Sequence, residues 1–597
     1  MMISLDSLRV DELLRKRKSL RREFLAGERL QDVRIAVLGG STTNEVVDLL
    51  ELVLLADGFR PSFYQSEYNQ YYEAAMFIPE QLSNFRPDIV YMHMCYLNIR
   101  EFPRLTASPE DFRDAVRAQM LAFAGMWESL HQKLGCMVIQ NNFELPAFPI
   151  LGNLDGVSYG GKTRFLNALN LEFAQAAAEN KNLLIHDIHA LSARVGTNNW
   201  FDWDRWFSYK IPVTPDASLL IARSLGALAR AVYGKSRKCL VLDLDNTLWG
   251  GVIGDDGLEK IKIGRETAVA EAYTAFQEYC LELRNRGVLL AVCSKNNEDV
   301  AKQGFAHPDS VLKVEHFSAF KANWMPKHEN ILAIAAELNL GVDSFVFVDD
   351  NPAERALVRA QLPTVAVPEV GADVSKFAAV IQAGQYFEPF RISGEDLQRA
   401  EQYAANSERT ALQAKFANYG EYLDSLSMTA QIDSFEREYL ERIAQLTNKT
   451  NQFNLTTRRC TLAEIEAMAS DPQYVTLYGK LSDQFGDNGL ISVVIGRSEG
   501  AVLDVILWLM SCRVLNREME FAMLDRLVEK AQELDISTIK GAYIRTEKNG
   551  MVAEHYQKLG FECVSRDDGG QRSEWRLSVS GYQPKTRHIH IKEPVNG

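Results

Sequence analysis

Residues 238–251 read KCLVLDLDNTLWGG. The apolar run Cys239–Leu242 predicts a short buried strand, and the polar stretch Asp243-Leu-Asp-Asn-Thr247 that follows predicts that it ends there. Asp243 and Asp245 stand at i and i+2 beyond that run. Two carboxylates so spaced past a strand end can both approach one phosphate group. Outward from this stretch, further strands are predicted at VLLAVCSK (288–295) and SFVFVDD (344–350), each preceded by a helical stretch. Alternation of this kind predicts a parallel α/β sheet, with Ser294 and Asp349-Asp350 at strand ends. Lys327 opens the helical stretch KHENILAIAAEL directly after Pro326.

The stretch from Asp243 to Thr247 resembles motif I of the haloacid dehalogenase (HAD) superfamily of phosphohydrolases, and the other motifs follow in that family's order. The resemblance implies Asp243 as the nucleophile that forms an aspartyl-phosphate. Asp245 is then the acid that protonates the leaving oxygen and later activates water. Thr247, Ser294 and Lys327 bind the phosphoryl group, with Lys327 offsetting transition-state charge. Mg²⁺, a hard ion, takes oxygen ligands from Asp243, Asp245, Asp349 and Asp350, Asp245 through its backbone. The gap from Asp245 to Ser294 holds room for a hairpin (WGGVIGDDGLEKIKIG, 249–264) and one helix. The gap from Lys327 to Asp349 holds one helix and a strand. Neither accommodates a cap domain, so a carrier protein or another domain is expected to cover the site. VLDLDNTLWGGVIGDDG (241–257), KANWMPKHENI (321–331) and FVDDNPAER (347–355) narrow the resemblance to the FkbH-like branch. That branch implies loading of a glyceryl unit from 1,3-bisphosphoglycerate onto the phosphopantetheine of an acyl carrier protein, for polyketide biosynthesis.

The segment after residue 390 opens with a polar helical stretch, SGEDLQRAEQYAANSERTALQAKF (393–416), followed by strands at 428–434, 474–483, 490–498 and 501–512. A helix (517–534), a strand (538–544) and a helix (551–561) come next, and the tail from about residue 581 is polar and expected to be loose. This α+β order, with Cys512 at a strand end and Asn549, Tyr556 and Leu559-Gly560-Phe561 beyond, resembles the GNAT acetyltransferase fold. GNAT proteins grip the coenzyme A pyrophosphate with an R/Q-x-x-G-x-G/A loop at a helix N-terminus. Here the loop is Arg513-Val514-Leu515-Asn516-Arg517-Glu518, with Asn516 and Glu518 in the glycine places. A carboxylate there repels pyrophosphate, which argues against acetyl-CoA. Ser511-Cys512-Arg513 resembles the FkbH-like family's SCR motif, which implies Cys512 as the thiolate that holds the acyl group as a thioester. Core packing is the competing reading of a cysteine at such a place. Two polar runs, Thr447–Asn454 and Asp483–Asn488, are read as loops suited to hydrogen-bonding a polyol.

The first segment carries strands at 33–40, 88–94, 135–142 and 182–188. VLGGSTTNE (37–45) resembles the opening block of SGNH hydrolases, with Ser41 in the nucleophile place. The closing block, Asp202-Trp-Asp-Arg205-Trp, lacks its histidine, so a docking, lid or dimerising role is expected. A basic amphipathic helix is predicted over 9–25, as a packed solvated face or a docking surface for an acidic partner.

The expected organisation is therefore α/β multidomain: 1–233 SGNH-like, 234–390 a capless HAD Rossmann-like domain, and 391–597 GNAT-like α+β with a polar tail. The length of 597 residues suits three or four domains of roughly 150 residues. Net charge is −14, a poor basis for nucleic-acid binding. The eight cysteines form no CxxC pair, which suits a reduced, cytoplasmic setting. No apolar run approaches the about 20 residues that a membrane helix needs. Other readings are a phosphatase of a phosphoprotein or phosphosugar with adaptor domains, a non-catalytic carrier-protein scaffold, and CoA-dependent acetyl transfer.

Overall fold

The computed structural model describes residues 8–26, 30–392, 394–413, 415–450, 452–511, 514–546, 548–567 and 569–592, without the side chains at 395, 400, 404, 407, 410 and 411. The chain divides into two compact units, Met1–Arg230 and Ala231–Gly597.

The first unit holds five parallel strands: β1 (Gln31–Gly39), β2 (Phe59–Gln65), β3 (Ile89–His93), β4 (Met137–Asn141) and β5 (Leu183–His186). They lie in the order β2-β1-β3-β4-β5. Four of the five are apolar runs legible in sequence. β2 is not, because its FRPSFYQ carries Pro61 and is half exposed; a proline cannot donate to a ladder, and β2 lies at the sheet edge where that costs little. The helix Val10–Ala26 buries Val10, Leu13, Leu20 and Phe24. Its Arg17 and Arg21 pair with Asp48 and Glu51 of the helix Asn44–Ala56, so these basic residues serve packing within the unit. The helix Pro109–Leu134 starts at a reciprocal Ser108–Asp111 capping box with proline in its first turn, and stops at Gly135 in a left-handed conformation.

Glu144 is buried in this unit, and its Oε1 accepts from the Tyr96 amide at 3.1 Å. Burial pushes its carboxyl up to about 7. A raised acid binds its proton more tightly when folded, so its stabilisation is full below about 4.5 and is lost as pH rises through about 7. Burial pushes His93 and His186 the other way, to about 4 and about 3, and their contribution is lost as pH falls. Glu144→Gln isolates the first effect. The unfolding free energy of the variant relative to wild type is expected to rise by about 3 kcal/mol between acid and pH 8. Urea unfolding of both proteins across that range checks it; a flat difference contradicts it.

The second unit contains two sheets. The first has β6 (Cys239–Leu242), β7 (Leu289–Ser294), β8 (Ala319–Ala322) and β9 (Phe345–Val348), all parallel, in the order β8-β7-β6-β9. The central strands are buried on both faces, as parallel strands covered by helices must be. The stretch 249–264 is not the expected hairpin. A single bridge, Gly250 to Lys262, encloses a helical turn, Ile253–Asp256. Asp256 accepts from the Val252 amide at 2.8 Å and draws the segment into that turn. No domain is inserted between β6 and β7 or between β8 and β9 among the described residues.

The second sheet is mixed: β10 (Met428–Asp433), β11 (Tyr474–Asp483), β12 (Gly486–Glu499), β13 (Val502–Met510), β14 (Thr538–Ile544), β15 (Glu562–Arg566), β16 (Arg572–Ser578) and β17 (Ile589–Ile591). Its order is β15-β16-β14-β13-β12-β11-β10-β17. The tail expected to be loose is tied down over its described residues. Buried Asp525 accepts from the Tyr582 hydroxyl, the Lys585 and Thr586 amides and the Thr586 hydroxyl, and β17 pairs with β10. β13 and β14 run parallel and pair only over Val502–Val505 and Thr538–Gly541. Past that point Phe453–Leu455 lies between them. The Met510 amide donates to Phe453 O at 3.0 Å, the Leu455 amide to Trp508 O at 3.1 Å, and the Ile544 amide to Leu455 O at 2.8 Å. Asn549 secures the insert by donating to Asn454 O at 2.9 Å.

Candidate active site

Asp243, Ser294 and Asp349 all stand at the C-terminal ends of parallel strands, with Asp243 directly after β6, Ser294 closing β7 and Asp349 directly after β9. That edge of an open α/β sheet is where ligands bind. Lys327 joins them from the first turn of the helix Lys327–Leu338, which starts after Pro326. The Asn323 amide donates to Ser294 O at 3.1 Å and fixes the loop that leads into this helix.

Lys327 is only 2 % exposed, and it sits at a helix N-terminus, where the backbone dipoles disfavour a cation. Its Nζ lies 2.9 Å from Asp243 Oδ2 and also pairs with Asp349 Oδ2. Burial works against the lysine charge, but the two carboxylates outweigh it and raise its pKa above the ordinary value. Burial and the Asp243 charge raise Asp349 and Asp350. Carboxylate oxygens of Asp243, Asp349 and Asp350 lie within 4.8 Å of one another. Asp243 Oδ1 is buried and has no hydrogen-bond partner. Three converging carboxylates, one with an orphaned oxygen, make the donor set that a hard divalent cation takes.

Asp245 is held differently. Its Oδ1 accepts from Trp249 Nε1 at 2.9 Å and the Ile253 amide at 3.0 Å, and its Oδ2 from Asn296 Nδ2 at 3.1 Å. Its side chain therefore lies outside the carboxylate cluster. Burial raises its pKa, with the Asp243 charge adding to the effect, which favours the protonated form that an acid needs. Thr247 also differs from the expectation of a phosphate ligand. It is fully buried, and its hydroxyl accepts from the Asp350 amide at 3.2 Å, so it positions the Asp349–Asp350 turn. Arg355, unnoticed in sequence, clamps the same turn from behind by donating to the carbonyls of Asp349 and Asp350, each at 2.7 Å. Trp249 and Asn296 were legible only as neighbours: four residues after Asp245 and two after Ser294. Trp324, 76 % exposed, and exposed Met325 stand immediately before Pro326 and Lys327.

Lys327→Met is expected to cost about 3–5 kcal/mol of stability, because it leaves Asp243 and Asp349 as buried like charges. Mg²⁺ is expected to restore part of that loss, read as a larger Mg²⁺-induced rise in melting temperature than in wild type. Identical Mg²⁺ responses contradict the assignment of these carboxylates to one cation site.

Cys512 and Arg513 lie outside the described residues. On either side, the Ser511 amide donates to Ile491 O at 2.7 Å, and Asn516 and Glu518 both adopt left-handed backbone. His555, a conceivable base, is buried edge-on against Phe453 and Trp508 and is pushed down to about 3 by burial. The Thr447–Asn454 run is not a free loop: Thr447–Lys449 ends a helix, and Phe453–Asn454 belong to the insert beside β13. Asp483–Asn488 is the hairpin joining β11 to β12, and Asp483 binds Arg409 and Arg517. In the first unit Ser41 is buried and its hydroxyl has no hydrogen-bond partner. Arg205, in the stretch read as the closing block, pairs with Glu45 at 2.7 Å.

A solved structure of the N-terminal part of the protein BF1531 from Bacteroides fragilis, which contains a phosphatase domain and is complexed with Mg, is similar to this chain. Identity is 31% and the TM-score 0.58, over 63% of this chain and 99% of that one. The Escherichia coli ribosomal-protein-S18-alanine N-acetyltransferase aligns at 11% identity and TM-score 0.21, over 27% of this chain and 99% of its own. Aminoglycoside 6′-acetyltransferase type Ii aligns at 16% and 0.21, over 26% and 99%. No family model and no curated protein matches the chain. No described helix is long and apolar enough to cross a membrane.

Proposed function

The chain belongs to the family of the Bacteroides fragilis protein BF1531 and carries a HAD-type phosphatase domain, and on that premise we propose that it joins phosphate-ester hydrolysis to transfer of a glyceryl unit onto an acyl carrier protein. The observation that carries the phosphatase half is the Asp243–Lys327–Asp349 cluster at the carboxyl edge of a parallel sheet that has no domain inserted between its strands among the described residues. Asp243 attacks phosphorus, Asp245 donates the proton to the departing oxygen, and Asp245 then takes a proton from the water that hydrolyses the aspartyl-phosphate. Lys327 and Ser294 hold the phosphoryl oxygens, while Thr247 and Arg355 keep the Asp349–Asp350 turn in place. Asp243, Asp349 and Asp350 would hold Mg²⁺, with Asp245 contributing its backbone, and the ion supplies charge neutralisation at the phosphoryl group when bound.

The transfer half rests on Cys512 and its SCR context. Its thiolate attacks the carbonyl of the acyl phosphate of 1,3-bisphosphoglycerate; the C–S bond forms, the C–O bond breaks and phosphate leaves. The phosphopantetheine thiolate of the carrier then displaces Cys512, one thioester for another. Acetyl-CoA is disfavoured as donor. The backbone groups that an amide-bearing arm would use between β13 and β14 are already bonded to Phe453–Leu455, and Glu518 stands in a glycine place of the pyrophosphate loop. We assign the same proposal an SGNH-like, non-catalytic first unit, a GNAT-like third segment and a cytoplasmic setting. The lack of an inserted domain among the described residues, with Trp324 exposed three residues before Lys327, supports a protein-borne substrate.

Intact-protein mass spectrometry tests the whole. The protein is incubated with Mg²⁺ and 1,3-bisphosphoglycerate generated in place, with and without a phosphopantetheinylated carrier. A glyceryl or phosphoglyceryl adduct that maps to Cys512 and chases onto the carrier is expected. No adduct, with phosphate still released from model monoesters, leaves a phosphatase with adaptor domains.

A further inference from the structure

The first unit displays apolar side chains that its own core does not use. Within residues 148–157, Phe148, Ile150, Leu154 and Val157 are each at least 64 % exposed. Exposed Leu105 lies alongside, because Gly160 packs so closely on it that a Cβ there would stand 2.5 Å from Leu105 Cα. Phe148 stacks on Trp203 with ring centroids 5.5 Å apart, and Trp203 lies 6.1 Å from the exposed ring of Phe207. Single exposed apolar residues are ordinary, but a contiguous patch of more than a few hundred Å² marks an interaction site. The display is held rigidly. The Phe143 amide donates to Asn170 Oδ1 at 2.9 Å, and Asn170 Nδ2 donates to Phe143 O at 2.7 Å. Buried Asp155 accepts from the Thr163 amide at 2.7 Å. A segment fixed in this way presents its side chains without the ordering cost that a loose loop meets on binding.

A surface cavity of about 680 Å³ adjoins this segment, lined by Leu145, Ala147, Pro149, Asn153, Thr163 and Thr197, among others. Its lining side chains are all neutral, which suits an apolar anchor from a partner. The rim is basic. The segments that carry the patch also carry Arg100, Arg104, Lys162, Arg164, Arg194 and Lys210, against Glu101, Asp202 and Asp204. Asp155 and the Arg205–Glu45 pair are bonded within the unit. Arg164 lies over the Tyr159 ring, 3.8 Å from its centroid, and Lys162 over the Phe102 ring at 4.8 Å. This local cationic surplus stands on a chain whose net charge is −14. An acidic protein is drawn to such a face, whereas a second copy of this chain is repelled by the charge of the whole.

We propose that this face of the first unit docks an acidic protein, which sets an apolar side chain into the cavity and acidic side chains against the rim. The occupant is the acyl carrier protein of the proposed reaction, and that identity rests on the reading above. Apolar contact forms the buried centre and charge pairs form the edge, as in other transient interfaces. The assignment requires the carrier to be acidic.

Fluorescence anisotropy of a labelled, phosphopantetheinylated carrier titrated with the full chain tests the assignment. Ile150→Glu and Leu154→Glu are each expected to weaken binding at least about tenfold, as loss of a central apolar contact predicts. Both side chains are exposed, so melting temperature and hydrolysis of a model monoester are expected to stay at the wild-type level. Arg104→Glu is expected to slow association and to flatten its dependence on salt. In the loading assay the glutamate variants are expected to raise KM for the carrier at least about tenfold. Transfer to free pantetheine is expected to be unchanged, because pantetheine has no protein surface to dock. Equal carrier affinity in wild type and both glutamate variants overturns the docking face. A melting temperature lowered in both variants also overturns it, by showing that the face packs within this chain. A wild-type dimer that both variants split in sedimentation, with carrier affinity unchanged, gives the face to a second copy and overturns it too. Carrier binding that the glutamate variants lose, with no loading by any of the proteins, supports the docking face and overturns acyl transfer alone. A carrier that the wild-type chain neither binds nor loads overturns both.

Discussion

Asp243→Asn is expected to lower kcat for a model phosphate monoester by at least about 10⁴-fold, a loss in the range seen when a nucleophile that acts through a covalent intermediate is removed. The amide has nearly the shape of the carboxylate, so the side chain still fits among Lys327, Asp349 and Asp350. It cannot attack phosphorus, because its nitrogen lone pair is delocalised and its oxygen carries no full charge. Oδ1 is the atom at stake: it is buried and without a partner, whereas Oδ2 is committed to Lys327. Lys327 keeps Asp349, so the lysine stays paired and the fold is expected to survive. Circular dichroism and a melting curve on the variant separate lost chemistry from lost structure. A folded variant that retains a tenth of wild-type activity would remove Asp243 from the nucleophile role.

The site was readable in sequence to the extent that its chemistry is written in short runs at strand ends. Asp243, Ser294 and Asp349 follow apolar stretches that can only be buried parallel strands, and parallel strands bring their C-terminal ends to one edge. Lys327 was legible because proline before a basic residue and an apolar helical period marks a helix start. Contacts that depend on packing were not legible. Nothing in the spacing says that the Thr247 hydroxyl turns to the Asp350 amide, or that Asp245 points to Trp249, Ile253 and Asn296 and away from the other carboxylates. Arg355 clamping the carbonyls of Asp349 and Asp350 is equally silent, since an arginine on an amphipathic helix reads as solvated surface. The same limit explains the missed strands. β2 carries a proline, β8 is four residues long, β15 is exposed along its whole length, β16 is largely polar, burying only Ser573, Trp575 and Leu577, and β17 is three residues of tail held by pairing with β10 and by the nearby Asp525 contacts. The Arg409–Asp483–Arg517 cluster joins residues far apart in the chain, one of them from a hairpin that composition alone recommends as a polar loop.

Cys512→Ala is expected to abolish both the enzyme-bound adduct and carrier loading, with monoester hydrolysis held within about twofold of wild type, because the two halves of the proposed reaction use different residues. The alternative nucleophiles are few. Cys95, Cys136, Cys239, Cys280, Cys293 and Cys460 are buried, and burial raises the pKa of each, which suppresses the thiolate that attacks. Cys563 is the exposed free cysteine among the described residues and the natural site for adventitious acylation by a reactive acyl phosphate. The decisive comparison is therefore between Cys512→Ala and Cys563→Ala. An adduct that survives Cys563→Ala, vanishes in Cys512→Ala and chases onto the carrier thiol assigns the transfer to Cys512. An adduct lost with Cys563 and not chased is chemical labelling, and carrier loading undiminished in Cys512→Ala means the acyl group passes directly from phosphate to the pantetheine thiol. In that last case the enzyme's task is reduced to alignment: the carrier thiolate must meet the acyl carbonyl without a covalent relay.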